Sequence, residues 1–163
     1  MVGDQDISYS LIRAVCEGRL EIVRELISSY GLSYSQAWSE GYDLLRDAVE
    51  NEHTEVAKLL LTNGSKVNRK NKLPLDTPLH FAVRNGDMEI VKMLLDSGAD
   101  IDAINLSDVT ALHIAVESKK VEIVELLLNQ GAGVNARNCN SSTPLLLAAE
   151  EGNKEIVKLL LKH

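Results

Sequence analysis

The sequence predicts an all-α protein in which helix-turn-helix units repeat and stack as a solenoid. Three observations indicate this fold: a 33-residue period, apolar residues spaced for one face of a helix in each period, and an aliphatic core. Of the 163 residues, 45% are hydrophobic but only 4% are aromatic. Small aliphatic side chains suit helices that pack closely on one another, and the length fits one compact domain.

The period is clearest in the second half of the chain. Three six-residue motifs, TPLHFA, TALHIA and TPLLLA, begin 33 residues apart at Thr77, Thr110 and Thr143. Seven residues after the last alanine of each motif comes Glu-Ile-Val, and a run of two or three leucines follows. A single motif could arise by chance, but matching blocks at a fixed spacing indicate internal repeats.

Two degenerate copies precede these three. Ala14 and Ala48 take the place of the last alanine of the motif, and each lies 34 residues before the next such alanine. Similar Glu-Ile-Val and Glu-Val-Ala blocks follow them, starting at Glu21 and Glu55. We therefore predict one domain over 1–163 with five repeats, approximately 7–41, 42–76, 77–109, 110–142 and 143–163.

Each repeat carries the local signals of two helices joined by a turn. The threonine that opens the motif can accept a hydrogen bond from a free backbone N–H group, and Pro78 and Pro144 suit the first helical position. The second helix begins near a glutamate, which its N-terminal dipole favours. Gly64, Gly98 and Gly131 then predict left-handed backbone where a helix ends.

The TPLH-x-A motif at this period resembles the ankyrin repeat, and the resemblance covers the chain from about residue 7 to 163. It implies stacked helix pairs with protruding β-turn loops, and a concave face that binds other proteins. It implies that His80 and His113 join neighbouring loops by hydrogen bonds and bind no metal. It implies a structural role for Asn68 and Asn135 by default, with asparaginyl hydroxylation as the alternative.

The resemblance also implies which residues face a partner protein. They lie at the exposed ends of the inner helices, just before those helices, and at the loop tips. Each taken alone is equally well explained as a solvated residue. At the helix ends they are Glu50, Asn51, Arg84, Asn85, Glu117, Ser118, Glu150 and Glu151; before the helices Tyr42, Asp76 and Val109; and at the tips Trp38, Glu40, Lys72, Leu106 and Asp108.

Trp38 has two interpretations. It is the only tryptophan and precedes Tyr42 by four residues, so it is a candidate binding anchor. It could equally cover the irregular junction between the first two repeats together with Tyr30 and Tyr34.

The charge pattern bears on the partner. The net charge of −7 argues against nucleic acids and anionic membranes, which bind basic surfaces, and favours a partner with a basic surface or peptide. The inner helix ends are mostly acidic, while the stretch 66–72 holds four basic residues, so a partner with both charges also fits.

No motif predicts an enzyme, a cofactor, a metal site or a small-molecule substrate. Cys16 and Cys139 lack metal-ligand spacing and indicate free thiols in a reducing compartment.

We expect no membrane-spanning segment and a cytoplasmic or nuclear location. The apolar end at Leu161 suggests a piece of a longer array, with a short natural repeat protein as the alternative. The leading hypothesis is a protein-interaction module; the alternative is a structural segment of a larger channel or cytoskeletal scaffold.

Overall fold

The computed structural model describes residues 4–30, 43–68 and 76–163. Within these ranges the secondary structure consists of ten α-helices and no strand, which confirms the predicted all-α class. In chain order the helices are α1 (Asp4–Cys16), α2 (Leu20–Tyr30), α3 (Leu44–Glu50), α4 (Thr54–Thr62), α5 (Pro78–Asn85), α6 (Met88–Asp96), α7 (Ala111–Glu117), α8 (Val121–Asn129), α9 (Pro144–Glu150) and α10 (Lys154–Leu160).

The chain divides into two compact units, Met1–Arg69 and Lys70–His163. In the first unit, the hairpin of α1 and α2 packs on that of α3 and α4, first helix on first and second on second. In the second unit, α7 packs between α5 and α9, and α8 packs against α10. Each unit is thus a stack of the predicted helix-turn-helix repeats. A single domain over 1–163 stays a prediction.

The predicted helix caps are confirmed in the second unit. The Thr77 Oγ1 accepts a hydrogen bond of 3.4 Å from the backbone N–H of His80, and Thr110 does the same for His113. Thr143 accepts one of 3.3 Å from Leu146. In the first unit, Asp43 replaces the threonine and caps α3. Each cap satisfies a backbone donor that the first turn of a helix leaves free.

The turn between the two helices of a repeat needs left-handed backbone. Gly86 supplies it between α5 and α6 with φ of 83°, and the predicted left-handed glycines 64, 98 and 131 have φ of 83°, 83° and 89°. At the position equivalent to Gly86, two repeats carry other residues. Glu52 has φ of 59° and Lys119 has φ of 55°, which is strained for a residue with a Cβ atom.

The core is made of small and aliphatic side chains on the first helices. Ala82, Val83, Ala115 and Val116 are fully buried, so α5, α7 and α9 can approach closely. On the second helices, isoleucine, valine and leucine at helical spacing bury a continuous apolar stripe, for example Ile123, Val124, Leu127 and Leu128 in α8.

Buried histidines connect successive repeats of the second unit. The Nδ1 atom of His80 accepts hydrogen bonds from the backbone N–H and the hydroxyl of Thr77, at 3.1 and 2.9 Å. Its Nε2 atom donates to the Val109 carbonyl at 2.9 Å. His113 is held in the same way by Thr110 and donates to the Ser142 carbonyl at 3.2 Å. The hydrogen bonds that the resemblance implied for both histidines are confirmed.

This geometry requires neutral rings. Burial lowers the pKa of His80 and of His113 below the ordinary value, and it outweighs the opposite effect of the hydrogen bonds to the Val109 and Ser142 carbonyls. Protonation would also place a hydrogen on Nδ1, where the ring accepts from the threonine. Both effects favour the uncharged form.

We expect the second unit to lose stability as the pH falls below about 6.5, the ordinary histidine pKa in an unfolded chain. Because the folded-state pKa is lowered, the stabilisation is complete above that pH and declines below it. Urea unfolding of a His80→Gln/His113→Gln variant between pH 7.5 and 5.5 should show lower stability at pH 7.5 and a flatter decline. His163→Gln, at an exposed position, is the control and should keep the wild-type slope. A wild-type stability that rises on acidification would contradict the assignment.

The turn positions allow a second test. Gly86→Ala should lower the free energy of unfolding by about 1–2 kcal/mol, because alanine is strained at this φ. Glu52→Gly should raise it by up to about 1 kcal/mol, because it relieves the same strain at the equivalent turn. The urea midpoints of unfolding at neutral pH measure both changes. If the two variants shifted the midpoint in the same direction, backbone strain at positive φ would not be the explanation.

Candidate functional site

The structure describes twelve of the sixteen residues predicted to face a partner. The other four, Trp38, Glu40, Tyr42 and Lys72, lie outside the described residues and stay predictions.

In the first unit, Glu50 and Asn51 lie at the end of α3 and are exposed. The Asn51 side chain donates a hydrogen bond of 2.7 Å to the Asp47 carbonyl and so caps the helix. At the position equivalent to Asn51, directly after α1, Glu17 pairs with Arg13 at 2.7 Å and Arg19 at 2.6 Å. The hydrogen bond from Arg13 lowers the pKa of the Glu17 carboxyl. The Glu17 charge is therefore balanced by two neighbouring arginines, whereas Glu50 is exposed.

Asp76 and Arg84 form a cross-link at the start of the second unit. Arg84 Nη1 lies 2.8 Å from Asp76 Oδ2, and the Asn105 side chain donates to Asp76 Oδ1 at 2.6 Å. Burial raises the pKa of Asp76, but the hydrogen bonds from Asn105 and Arg84 outweigh it and leave the pKa below its ordinary value. The Arg84 guanidinium also lies 5.3 Å from the centre of the Phe81 ring. Both oxygens of the Asp76 carboxylate thus bind side chains of the same unit. Arg84 is held in place by this contact, and 44% of its side chain is exposed.

The loop between α6 and α7 presents two of the predicted residues. Asn105 Oδ1 accepts hydrogen bonds from the backbone N–H groups of Ser107, at 2.9 Å, and Val109, at 3.1 Å. This closes a tight loop with Leu106 at its tip, 63% exposed. Asp108 is exposed and left-handed at φ of 54°. Val109 is only partly exposed, and its carbonyl holds His80.

The loop between α8 and α9 repeats this geometry. Asn138 Oδ1 accepts from the backbone N–H groups of Asn140 and Ser142, each at 3.0 Å. The backbone N–H of Cys139 donates to the Ser107 carbonyl at 2.9 Å, so the two loop tips are joined. These asparagines were missed as loop-forming residues by sequence reasoning. A signal exists: both precede the capping threonine by five residues at the repeat spacing.

The ends of α5, α7 and α9 carry charges at one repeat position: Arg84, Glu117 and Glu150. Because α7 packs between the other two helices, these three residues form a row, with about 8–10 Å between helix axes. Glu117 and Glu150 are exposed and form no ion pair with another residue of the described ranges. The next position holds partly exposed Asn85, exposed Ser118 and exposed Glu151.

Glu151 lies beside the row but has a partner. Its Oε2 atom lies 2.9 Å from the Lys119 Nζ of the preceding repeat. This surface therefore carries two unpaired glutamates and the exposed Arg84, which is paired with Asp76. We call these three residues the charged row (Arg84, Glu117 and Glu150).

A shallow cleft of about 630 Å³ lies between the two loops. Its titratable lining residues are Asp102 and His163, and Asp102 accepts a hydrogen bond of 2.8 Å from the Gly133 backbone N–H. Asp102 and His163 do not form a pair of a catalytic nucleophile and a general base. Among the described residues, none of the His, Cys, Asp and Glu side chains cluster to hold a metal, and no helix is long and apolar enough to cross a membrane. Cys16 and Cys139 are free and exposed.

The sequence matches a known family. A profile for ankyrin repeats, in a form with three copies, matches residues 3–71, 47–138 and 79–163. A predicted ankyrin repeat protein of Fowlpox virus (strain NVSL) is 29% identical over 111 residues, which are 64% of this chain and 16% of that protein. Another from the same virus is 33% identical over 90 residues, 55% of this chain and 15% of that protein.

A predicted palmitoyltransferase of Danio rerio is 31% identical over 93 residues, 57% of this chain and 14% of that protein. The matched segments thus span only 14–16% of the length of these three relatives. Ankyrin repeats are in general protein–protein interaction modules, and the family is typically non-catalytic. Since the profile covers nearly all of the sequence and the helical repeats follow its period, the chain belongs to the ankyrin repeat family.

Proposed function

We propose that this chain is a non-catalytic interaction module that binds a partner protein through the charged row and the adjacent loop tips. The observation that carries the proposal is the contrast between constant and variable positions. The capping threonines and the buried alanines recur at the repeat spacing, while the exposed helix ends change from Arg84 to Glu117 and Glu150. A surface that varies on a constant scaffold can be specific for one partner.

The charges favour a partner with a basic segment. Glu117 and Glu150 have no described cation to neutralise them, and the whole chain carries a net charge of −7. A basic segment along the row would pair with both carboxylates, and the long-range field would speed its approach. Arg84, at the other end of the row, would then meet an acidic or aromatic group of the partner.

The loop tips extend this surface with an apolar contact. Leu106 is exposed on a loop that Asn105 and the joined backbone of Ser107 and Cys139 hold in one conformation. A preorganised apolar residue loses little conformational entropy on binding. The proposed binding residues of the described part are therefore Leu106 and Asp108 together with the charged row. The same or the neighbouring position at other helix ends holds Glu50, Asn51, Asn85, Ser118 and Glu151. Four further candidates stay predictions: Trp38, Glu40, Tyr42 and Lys72.

A second candidate function is a structural segment of a larger protein, such as a channel or cytoskeletal scaffold. The matches to relatives that are several times longer favour it. Reading the complete gene distinguishes the two functions, since the structural one requires many further repeats or membrane spans. We propose a cytoplasmic or nuclear location for either, which the two free, exposed cysteines support.

Reversing the two glutamates of the row should abolish capture of the partner. Glu117→Lys/Glu150→Lys on the bait should reduce recovery of specific proteins from a source-cell lysate at least about tenfold, because two attractive charge pairs become repulsive. Quantitative mass spectrometry of the eluates measures this.

The matched control is Glu122→Lys/Glu125→Lys on α8, which makes the same change of charge at two exposed positions outside the row. It should recover the wild-type set of proteins. Equal recovery by both double variants would refute the charged row as the binding surface. Turnover of a substrate by the purified chain would refute the absence of catalysis.

Trp38→Ala tests the undescribed part of the surface. If Trp38 is a binding anchor, its replacement by alanine should reduce capture of the partner protein and leave the urea midpoint of unfolding unchanged. A lowered midpoint with unchanged capture would instead assign Trp38 to packing between the first two repeats.

A further inference from the structure

The turn between α7 and α8 carries two adjacent lysines, Lys119 and Lys120, next to the charged row. Lys119 follows Glu117 by two residues, and its Nζ atom lies 2.9 Å from Glu151 Oε2 in the next repeat. About half of each side chain is exposed, 54% for Lys119 and 50% for Glu151. The ion pair is therefore open to solvent directly beside Glu150, the residue that precedes Glu151.

Lys119 occupies a backbone position that favours glycine. The equivalent residues of three other repeats are Gly18, Gly86 and Gly152, with φ of 68°, 83° and 67°. Lys119 has φ of 55°, which is unfavourable for a residue with a Cβ atom, and Glu52 is the other exception. Glycine would form the same turn without strain. The turn itself thus gives no reason for a lysine at this position, so the reason has to lie in its side chain.

The ion pair removes one carboxylate from the surface that a partner can reach. The ends of α7 and α9 present Glu117, Glu150 and Glu151, and within the described residues only Glu151 forms an ion pair. A basic group of a partner that approached Glu151 would have to displace the Lys119 ammonium, which carries the same charge. It would gain little there, because one exposed ion pair would only replace another.

The ion pair also indicates which cation the free carboxylates suit. An ammonium group of the chain itself already binds a glutamate at the end of α9, one residue after Glu150. A lysine of the partner at Glu150 would form the same kind of contact. The Lys119–Glu151 pair is therefore an internal example of the contact that a basic segment would make.

We propose that Lys119 is an internal competitor that restricts the acidic part of the surface to two carboxylates. This inference rests on the proposed function, since it concerns the basic segment that would bind Glu117 and Glu150. A partner with two basic residues one repeat apart, about 8–10 Å, pairs fully with these two glutamates. A third basic residue gains little, because Lys119 holds Glu151. Lys119 thus discriminates between partners by how many basic residues they present.

The neighbouring Lys120 does not have this role. Its side chain lies over Gly86 of the preceding repeat, where a Cβ atom added to the glycine would be 2.5 Å from Lys120 Nζ. Lys119 and Lys120 therefore extend to opposite neighbours of the same repeat, and only Lys119 meets a carboxylate beside the row. This difference provides a matched control on the same turn.

Binding of a basic peptide tests the proposal. The probe is a fluorescein-labelled peptide of four Lys-Gly-Ser triplets, which presents a lysine about every 10 Å when extended. In about 10 mM salt, where screening is weak, Lys119→Ala should bind it about three- to fivefold more tightly than the wild type, because a third carboxylate becomes available. Alanine keeps the Cβ atom, so the backbone strain stays the same. Fluorescence anisotropy measures the Kd.

Two further variants show whether the gain depends on Glu151. Lys120→Ala makes the same change of charge and should leave the Kd within about twofold of the wild-type value. Glu151→Ala alone should also change the Kd by less than about twofold, but combined with Lys119→Ala it should cancel the gain. Equal gains from Lys119→Ala and Lys120→Ala, or a gain that persists without Glu151, would overturn the proposal.

The double variant Glu117→Lys/Glu150→Lys separates this proposal from the proposed function. If it weakens peptide binding at least about tenfold while Lys119→Ala gains nothing, only the competitor role of Lys119 is wrong. If it leaves peptide binding unchanged, or if no variant binds the peptide, the charged row is not a site for a basic segment and both proposals fail.

Discussion

The second unit depends on one type of interaction, the buried imidazole that joins a helix cap to the next loop. His80 binds Thr77 through Nδ1 and the Val109 carbonyl through Nε2, so a single ring fixes the start of α5 and the loop that precedes α7. Any shift of that loop would leave the buried Nε2 donor of His80 unpaired, which costs about 1–3 kcal/mol. The spacing of successive repeats is therefore fixed by hydrogen bonds as well as by apolar packing.

The same constraint positions the candidate binding surface. Val109 is adjacent to Asp108 and two residues after Ser107, whose carbonyl receives the Cys139 N–H. The buried ring and the joined loop tips thus hold Leu106 and Asp108 from both sides. Asp76, which binds Asn105 of the same loop and Arg84 of α5, connects this loop to the first residue of the charged row. Contacts with buried and partly buried residues therefore fix the positions of residues that are exposed to solvent.

The sequence predicted the features that depend on local chemistry. Thr77 and Thr110 as caps, left-handed Gly98 and Gly131, and the alanines of the close helix contacts all follow from residue type and position within a repeat. It could not predict the features that depend on which residues meet in space.

Asp76 looks like a surface carboxylate in the sequence, and only the fold brings Asn105, 29 residues away, to bind it. Glu117 and Glu151 look alike, but Lys119 neutralises only the latter. Leu146 occupies the repeat position of His113, yet Leu146 is 46% exposed whereas His113 is fully buried.

The division between scaffold and surface has a physical cause. The buried position of Ala82 and Ala115 tolerates only a small side chain, since a larger one would separate helices that are in direct contact. Two residues later, Arg84 and Glu117 lie at the exposed ends of the same helices, where a change of charge alters stability by a few tenths of a kcal/mol. Such positions can vary with little effect on folding while they change which protein surface is attractive. A stack of nearly identical repeats can therefore present a different surface in each repeat, and the rigidity of the stack limits the entropy lost on binding.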